Sequence, residues 1–222
     1  MQEIHWIDRE SGTLVQQQRG QIMRGMAIDP RGDQLVATQL LRVPLRWRPP
    51  LADHHEEIPV GNALWEAAAF TRDAQRLILS RRPLTAGSVE DTILVLNAES
   101  FELERSISIP QWITRLRLAA DDRVPLVLGQ RGITALDFES GRELWSCSKA
   151  GFGIDLTPDG RHAITLDRGE WVAFGALTGQ ETRWPGRTTQ DHAWSVSVAP
   201  DGTAVSFLDE RLIITTIPPL AG

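Results

Sequence analysis

The stretch from Leu156 to Glu181 reads LTPDGRHAITLDRGEWVAFGALTGQE, and it decides the predicted fold. Polar turns alternate with short apolar runs, beginning at Pro158-Asp159-Gly160 and ending at Gly179. Proline presets φ for the first turn position, the aspartate side chain bonds its own backbone, and glycine accepts a left-handed conformation. No segment of the chain carries a 3.6-residue apolar period. The pattern therefore predicts short antiparallel strands joined by hairpins, with almost no helix.

Similar hairpins recur five times along the chain. An apolar run, a polar turn and a second apolar run are found near residues 26–38, 68–80, 116–128, 154–166 and 196–208. The aligned turn positions are Gly32, Ala74, Asp122, Gly160 and Gly202, with separations of 42, 48, 38 and 42 residues. Two of these positions have lost the glycine, so the repeat is degenerate and is recognised mainly by its spacing.

A second turn pattern follows the hairpins. A large apolar residue precedes Asp, Asn or Gly, and the chain then turns through Ser or Thr and usually Gly. The pattern occurs at Ile7-Asp8, Leu96-Asn97, Leu136-Asp137 and Phe174-Gly175. Each repeat is thus predicted to hold four strands, an a–b hairpin followed by a c–d hairpin. Four strands with a period of about 40 to 45 residues are typical of propeller blades.

Taken together, the PDG turns and the apolar-Asp…Thr-Gly turns resemble the WD-repeat family and the related bacterial YVTN or quinoprotein-like propellers. The resemblance covers nearly the whole chain, although the Trp-Asp dipeptide itself occurs nowhere. The family's His before strand a is matched by His192, and its turn aspartate by Asp167 and Asp209. The resemblance implies an all-β propeller, residues 1–222 as one domain, with about five four-stranded blades.

The ends of the chain raise the question of ring closure. The chain begins with a c–d unit near residues 4–18 and ends on a c-like strand, Arg211–Ile217. The resemblance implies that Thr13–Gln18 pairs beside Arg211–Ile217 and completes the last blade. The alternative is a partial ring completed by another chain, because unpaired strand edges invite association. In that case we expect a homo- or hetero-oligomer.

Composition narrows the function class. The net charge of −6 argues against a nucleic-acid binder. No apolar run approaches the roughly 18 residues of a membrane span, and the N-terminus lacks the pattern of a secretory signal. A single cysteine, Cys147, fits a reducing compartment, so we expect a cytoplasmic protein. Lys149 is the only lysine among 23 basic residues, which indicates coding by a GC-rich, bacterial genome.

The segment RWRPPLADHHEEIP, residues 46–59, replaces an expected short turn. Adjacent residues of an extended chain point to opposite sides, so His54 and His55 are poorly placed to share one metal ion. The segment is either a solvated loop or a partner-contact loop, since long irregular loops are often functional. The partner-contact candidates here are Arg46, Trp47, Arg48, His54 and His55.

A second insertion, residues 80–91, lengthens the b–c connection of the second repeat. Arg81 and Arg82 either clamp an acidic partner or are solvated.

Large aromatic residues stand just before strand a in several repeats. They are Trp65, Trp112, Phe152 and Trp194. The resemblance places this position on the rim of the central channel, where Arg24 and Arg115 would join a contact face. Such residues are favoured binding anchors, but large aromatics also fill gaps between packed sheets. Both interpretations stay open.

No nucleophile elbow, phosphate loop or zinc-protease motif is present, and we predict no cofactor and no metal. The favoured function is a non-catalytic protein-interaction scaffold, a subunit of a bacterial assembly whose partner is another protein. The alternative is a small-ligand or metal-dependent propeller enzyme, such as a hydrolase or lactonase. Such enzymes need converging carboxylates. Asp29, Glu66 and Asp155, the acidic residues near strand a, do not repeat convincingly.

Overall fold

The computed structural model describes residues 2–7, 14–20, 23–48, 55–84, 90–148, 153–168, 170–185, 195–199, 201–208, 211–218 and 220. Within these ranges every regular element is a β-strand, which confirms the all-β prediction. None of the described residues belongs to a helix that could cross a bilayer. The chain forms two compact units, Met1–Pro110 and Gln111–Gly222.

The first unit contains ten described strands. They are β1 (Gln2–Ile7), β2 (Leu14–Gly20), β3 (Met23–Ile28), β4 (Leu35–Gln39), β5 (Leu45–Trp47), β6 (Glu56–Glu57), β7 (Leu64–Phe70), β8 (Arg76–Arg82), β9 (Asp91–Asn97) and β10 (Leu103–Ile109). They form a β1–β2 hairpin and two four-stranded antiparallel sheets, β3–β4–β5–β6 and β7–β8–β9–β10.

The second unit contains eleven described strands. They are β11 (Ile113–Ala119), β12 (Val124–Gly129), β13 (Gly132–Leu136), β14 (Glu143–Cys147), β15 (Asp155–Leu156), β16 (His162–Asp167), β17 (Glu170–Gly175), β18 (Glu181–Pro185), β19 (Ser195–Val198), β20 (Thr203–Leu208) and β21 (Arg211–Thr216). They form the four-stranded sheets β11–β14 and β15–β18 and the three-stranded sheet β19–β21. The predicted four-strand repeat is thus present in four of the described sheets.

The five aligned turn positions share one backbone conformation. Gly32, Ala74, Asp122, Gly160 and Gly202 have φ angles of 76°, 57°, 67°, 68° and 82°. Residues that carry a side chain disfavour positive φ. Ala74 and Asp122 adopt it nevertheless, which shows that the geometry of the hairpin outweighs the conformational preference of these two residues. Positive φ at Ala74 and Asp122 agrees with the alignment made from spacing.

The c–d turns also share a geometry. The backbone N–H groups of Phe101, Gly141 and Gly179 donate to the carbonyl four residues earlier at 3.0, 2.8 and 2.8 Å, and all three residues are left-handed. The pairs Leu96↔Leu103, Leu136↔Glu143 and Phe174↔Glu181 are each seven residues apart. Ile7↔Leu14 in the β1–β2 hairpin has the same spacing. The N-terminal hairpin therefore has the same strand spacing as the c–d hairpins, and its assignment as a c–d unit stays a prediction.

The sheet β15–β18 is packed on both faces within the second unit. On one face Ala163, Val172 and Phe174 join the core of sheet β11–β14. On the other face Ile164 and Trp171, with their neighbours, pack against sheet β19–β21. Because both faces are buried, β16 and β17 are apolar almost without interruption instead of alternating with polar residues.

Close sheet packing depends on two glycines at the same repeat position. A Cβ on Gly25 would lie 2.7 Å from the carbonyl oxygen of Glu66 in β7. A Cβ on Gly153 would lie 2.5 Å from the backbone nitrogen of Val196 in β19. In each unit, the missing side chain lets one strand approach the backbone of the next sheet.

Buried hydroxyl groups join the first and second strands of three sheets. Thr38 Oγ1 accepts a hydrogen bond from the Gly25 N–H at 2.8 Å, and Ser80 Oγ accepts one from the Ala67 N–H at 2.9 Å. Thr165 Oγ1 donates to the Gly153 carbonyl at 2.7 Å. The three hydroxyl residues are at most 1% exposed. This repeated feature was not predicted from the sequence.

The last sheet holds three strands, and β21 pairs with β20. Strand β2, which includes most of the segment expected to complete that sheet, pairs with β1. Closure by an N-terminal strand stays a prediction.

Candidate functional site

Arg46, one of the predicted contact residues, is a buried link between two sheets of the first unit. Its Nε donates to Glu56 at 2.7 Å, and its Nη1 donates to the carbonyls of Ala98 and Glu99, each at 3.3 Å. Its Cζ lies 4.2 Å from the centre of the Phe101 ring. The residue is 5% exposed, so its guanidinium acts inside the unit.

The neighbours of Arg46 differ in exposure. Arg48 is exposed and donates to Glu99 at 2.7 Å. This bond raises the pKa of Arg48 and lowers the pKa of Glu99. Trp47 is buried, with its ring centre 5.8 Å from that of the exposed His55. His54 lies outside the described residues. Within this segment, Arg48 and His55 are the predicted contact residues whose side chains are exposed.

Two further predicted arginines meet at Glu66. Arg82 binds the buried Asp91 through Nε at 3.0 Å and Nη2 at 3.3 Å, and its Nη1 lies 3.8 Å from Glu66. Arg24 Nε lies 4.0 Å from the second oxygen of Glu66. Arg81, the next residue along β8, is half-buried. This arrangement joins β3, β7, β8 and β9 within the first unit.

The predicted aromatic positions are not equally accessible. Trp65 is fully buried in the core of the first unit, and its indole N–H donates to the Gly61 carbonyl at 3.3 Å. Trp112 is half-buried, while Trp194 and Phe152 lie outside the described residues. Arg115 is half-buried and donates to the Thr114 carbonyl at 2.8 Å. For Trp65, the burial therefore favours packing between sheets over contact with a partner.

A half-open cleft in the second unit was not predicted. Its volume is about 420 Å³, and its walls come from three turns: residues 120–123, 159–162 and 175–182. The first two are a–b turns of adjacent sheets, and the third is a c–d turn. The first turn differs from its counterparts in one respect. Its hydrogen bond runs from the Arg123 N–H to the Ala120 carbonyl, one residue later than the equivalent bonds at Gly32, Ala74, Gly160 and Gly202.

The cleft walls are held in place by bonds between the two sheets. The Ala120 N–H donates to the Gly160 carbonyl at 2.9 Å, and the Trp145 indole N–H donates to the Ala176 carbonyl at 2.9 Å. The Trp145 ring also stacks on Phe174, with ring centres 5.7 Å apart. The cleft is therefore preformed, which lowers the entropic cost of binding.

One wall of the cleft has an unusual backbone. Ala120, Asp121 and Asp122 have φ angles of 50°, 56° and 67°. Each left-handed residue other than glycine costs about 1 kcal/mol, less for aspartate. Such conformations cluster at functional sites.

The charged side chains of the cleft differ in the hydrogen bonds that they form. The Asp159 carboxylate accepts from the Thr157 hydroxyl at 2.6 Å and from the Arg161 N–H at 3.0 Å, and these bonds lower its pKa. Arg123 Nε donates to the Ala120 carbonyl at 3.2 Å. The Arg161 guanidinium forms neither a hydrogen bond nor an ion pair with any described residue. The cleft is therefore lined by two guanidinium groups and by the carboxylates of Asp121 and Asp159, and the guanidinium nitrogens are the charged donors there that keep unused hydrogen-bonding capacity among the described residues.

Outside the cleft, Asp29 and Asp155, two of the acidic residues near strand a, accept hydrogen bonds from other groups of the same chain. Asp29 accepts from the Gln34 N–H at 2.8 Å. Asp155 accepts from Arg117 Nε and from the Val198 N–H, both at 2.9 Å, and so joins all three sheets of the second unit. In the part of the chain that the structure describes, no three His, Cys, Asp or Glu side chains are grouped to hold a metal ion.

No protein-family model matches the chain, and no curated protein sequence matches it.

Proposed function

We propose that this chain is a non-catalytic scaffold of the β-propeller type that binds another protein. Consecutive four-stranded antiparallel sheets, packed face to face within each unit, support blades as the building plan. The sheet β19–β21 has three described strands where four of the other sheets have four, and in this proposal β2 supplies the fourth. In this proposal the blades form a ring that the N-terminal strand closes.

The cleft of the second unit carries the binding part of the proposal. It is preformed, it presents the guanidinium groups of Arg123 and Arg161, and Leu177 at its wall is 53% exposed. Arginine beside an exposed apolar side chain is a common composition of interaction sites. In the first unit, by contrast, Arg24, Arg46 and Arg82 meet acidic partners of the same chain.

The experiment combines mass in solution with affinity capture. Light scattering coupled to size exclusion is expected to give a monomer if the ring closes within one chain, and a defined oligomer if it is partial. Tagged protein is then incubated with extract of the organism that encodes it, and bound proteins are quantified by mass spectrometry. We expect one partner at fixed stoichiometry. A monomer that captures no protein above a tag-only control would contradict the scaffold function.

A second candidate is a small-ligand site, favoured by the size of the cleft. A volume of about 420 Å³ falls within the 300 to 1,000 Å³ that is usual for small-molecule pockets. A metal-dependent version would be supported by elemental analysis that finds one bound ion per chain.

A further inference from the structure

We infer that the cleft of the second unit binds an acidic peptide segment of the partner, with a carboxylate between Arg123 and Arg161 and an aliphatic side chain against Leu177. This inference rests on the proposed scaffold function and names the chemistry of its partner.

The charge of the occupant follows from the hydrogen bonds of the cleft. Asp159 is satisfied within its own turn by a hydroxyl and a backbone N–H. Arg123 uses Nε for the Ala120 carbonyl, and its two terminal nitrogens bond no described residue. Arg161 offers its whole guanidinium. A carboxylate is the side-chain group that two guanidinium forks bind best.

The aliphatic side chain of the peptide is inferred from the exposed surface of Leu177 in the wall of the cleft. Ala176 is buried and anchored through the Trp145 indole, whereas Leu177 beside it is 53% exposed. An aliphatic side chain laid on Leu177 would remove this apolar surface from water. The exposed Gln180 and Thr182 on the same wall offer donors and acceptors to a peptide backbone.

The same walls discriminate against a polyanion. Asp121 and Asp159 line the cleft together with the two arginines, so a second negative charge close to the first would meet a carboxylate. The net charge of −6 adds a repulsive field for nucleic acid. A single carboxylate followed by an apolar residue satisfies both the cationic and the acidic parts of the lining.

The test uses a fluorescein-labelled pentapeptide with an amidated C-terminus, Gly-Asp-Leu-Gly-Gly, and its amide counterpart, Gly-Asn-Leu-Gly-Gly. Fluorescence anisotropy with the full chain is expected to show at least tenfold tighter binding of the acidic peptide, and weakening as salt is raised. Arg123→Gln and Arg161→Gln should each weaken binding of the acidic peptide about tenfold, a loss of one charge-assisted contact. Leu177→Ser should weaken both peptides.

Matched controls lie outside the cleft. Arg142→Gln and Leu103→Ser change exposed residues of the same types and should leave peptide affinity unchanged. Far-UV circular dichroism and thermal melting confirm that every variant is folded. Equal affinity for the two peptides, or arginine variants that bind like Arg142→Gln, would overturn the inference. Free aspartate or a short oligonucleotide binding as tightly as the acidic peptide would overturn it too.

Affinity capture separates this inference from the scaffold function. If the wild type captures a partner and the Arg123→Gln/Arg161→Gln double variant loses it, both proposals are supported. If the double variant captures the partner equally well, the scaffold function stands and the cleft assignment is wrong. If the wild type captures no partner, the scaffold function itself fails, whatever the peptides show.

Discussion

Replacing Arg46 tests whether a buried guanidinium holds two sheets of the first unit together. Arg46→Ala removes a side chain that is 6% exposed, together with its bonds to Glu56, Ala98 and Glu99 and its contact with the Phe101 ring. The matched control is Arg48→Ala, because Arg48 stands two residues away and is 45% exposed in its pair with Glu99.

The magnitude follows from the burial of each contact. Glu56 is 62% exposed, so its ion pair with Arg46 contributes only about 0.5 to 1 kcal/mol. The two bonds from a charged donor to backbone carbonyls contribute about 1.5 to 3 kcal/mol in total. The cation–π contact adds about 0.5 to 1 kcal/mol. We therefore expect Arg46→Ala to lower the free energy of unfolding by about 3 kcal/mol, and Arg48→Ala by less than about 1 kcal/mol.

Two other substitutions at Arg46 separate charge from packing. Arg46→Lys keeps the charge but loses the planar fork, so we expect about half of the destabilisation of Arg46→Ala. Arg46→Met keeps an apolar stem, and Glu56 stays hydrated after its partner is lost, so Arg46→Met should be milder than Arg46→Ala.

Urea unfolding followed by tryptophan fluorescence and circular dichroism provides the measurement. The buried Trp47 and Trp65 report on the first unit. Midpoints are compared at constant slope, so that a change in denatured-state compactness is not mistaken for a change in stability. If Arg46→Ala and Arg48→Ala shift the midpoint equally, the structural role assigned to Arg46 is wrong.

Three further predictions concern turns and buried hydroxyls. The hydrogen bonds that lower the pKa of Asp159 stabilise the fold above the unfolded-state pKa, near 3.9, and this contribution is lost as the pH falls through the lower folded pKa. Asp159→Asn should therefore destabilise by at most about 1 kcal/mol at pH 7 after solvent screening, with the difference vanishing at acid pH in urea titrations at a series of pH values. Leu41 has φ 60° and is 53% exposed, so Leu41→Gly should raise the melting temperature, whereas Leu84→Gly, at a residue without positive φ, should not. Thr165→Val keeps the shape but leaves a buried carbonyl unpaired, so calorimetry should show a loss of about 1 to 2 kcal/mol, and a loss near zero would contradict the role of the hydroxyl.

The turns could be predicted from the sequence because their geometry is local. Ala74 and Asp122 lack the glycine, yet the spacing placed them correctly, and both are left-handed. Arg46 and Arg48 show where such reasoning ends. They are the same residue type two positions apart, and only the packing of a neighbouring sheet buries one and leaves the other exposed. Local periodicity contains no information about that neighbour.

The cleft was out of reach for the same reason. Its walls come from turns separated by up to about sixty positions, and their meeting depends on how two sheets pack. The hydroxyl of Thr165 was missed because threonine is an ordinary strand residue, and its bond to Gly153 is visible only once the strands are paired.

The two unequal faces of sheet β15–β18 limit how this chain can change by duplication. One face contributes Ala163, Val172 and Phe174 to the core shared with sheet β11–β14, and the other contributes Ile164, Leu166 and Trp171 to the core shared with sheet β19–β21. A tandem copy of this sheet would place its Trp171 face against its Phe174 face, a junction different from either of these cores. Gain or loss of a module should therefore require compensating changes in the adjoining module, so the modules are related in design without being interchangeable parts.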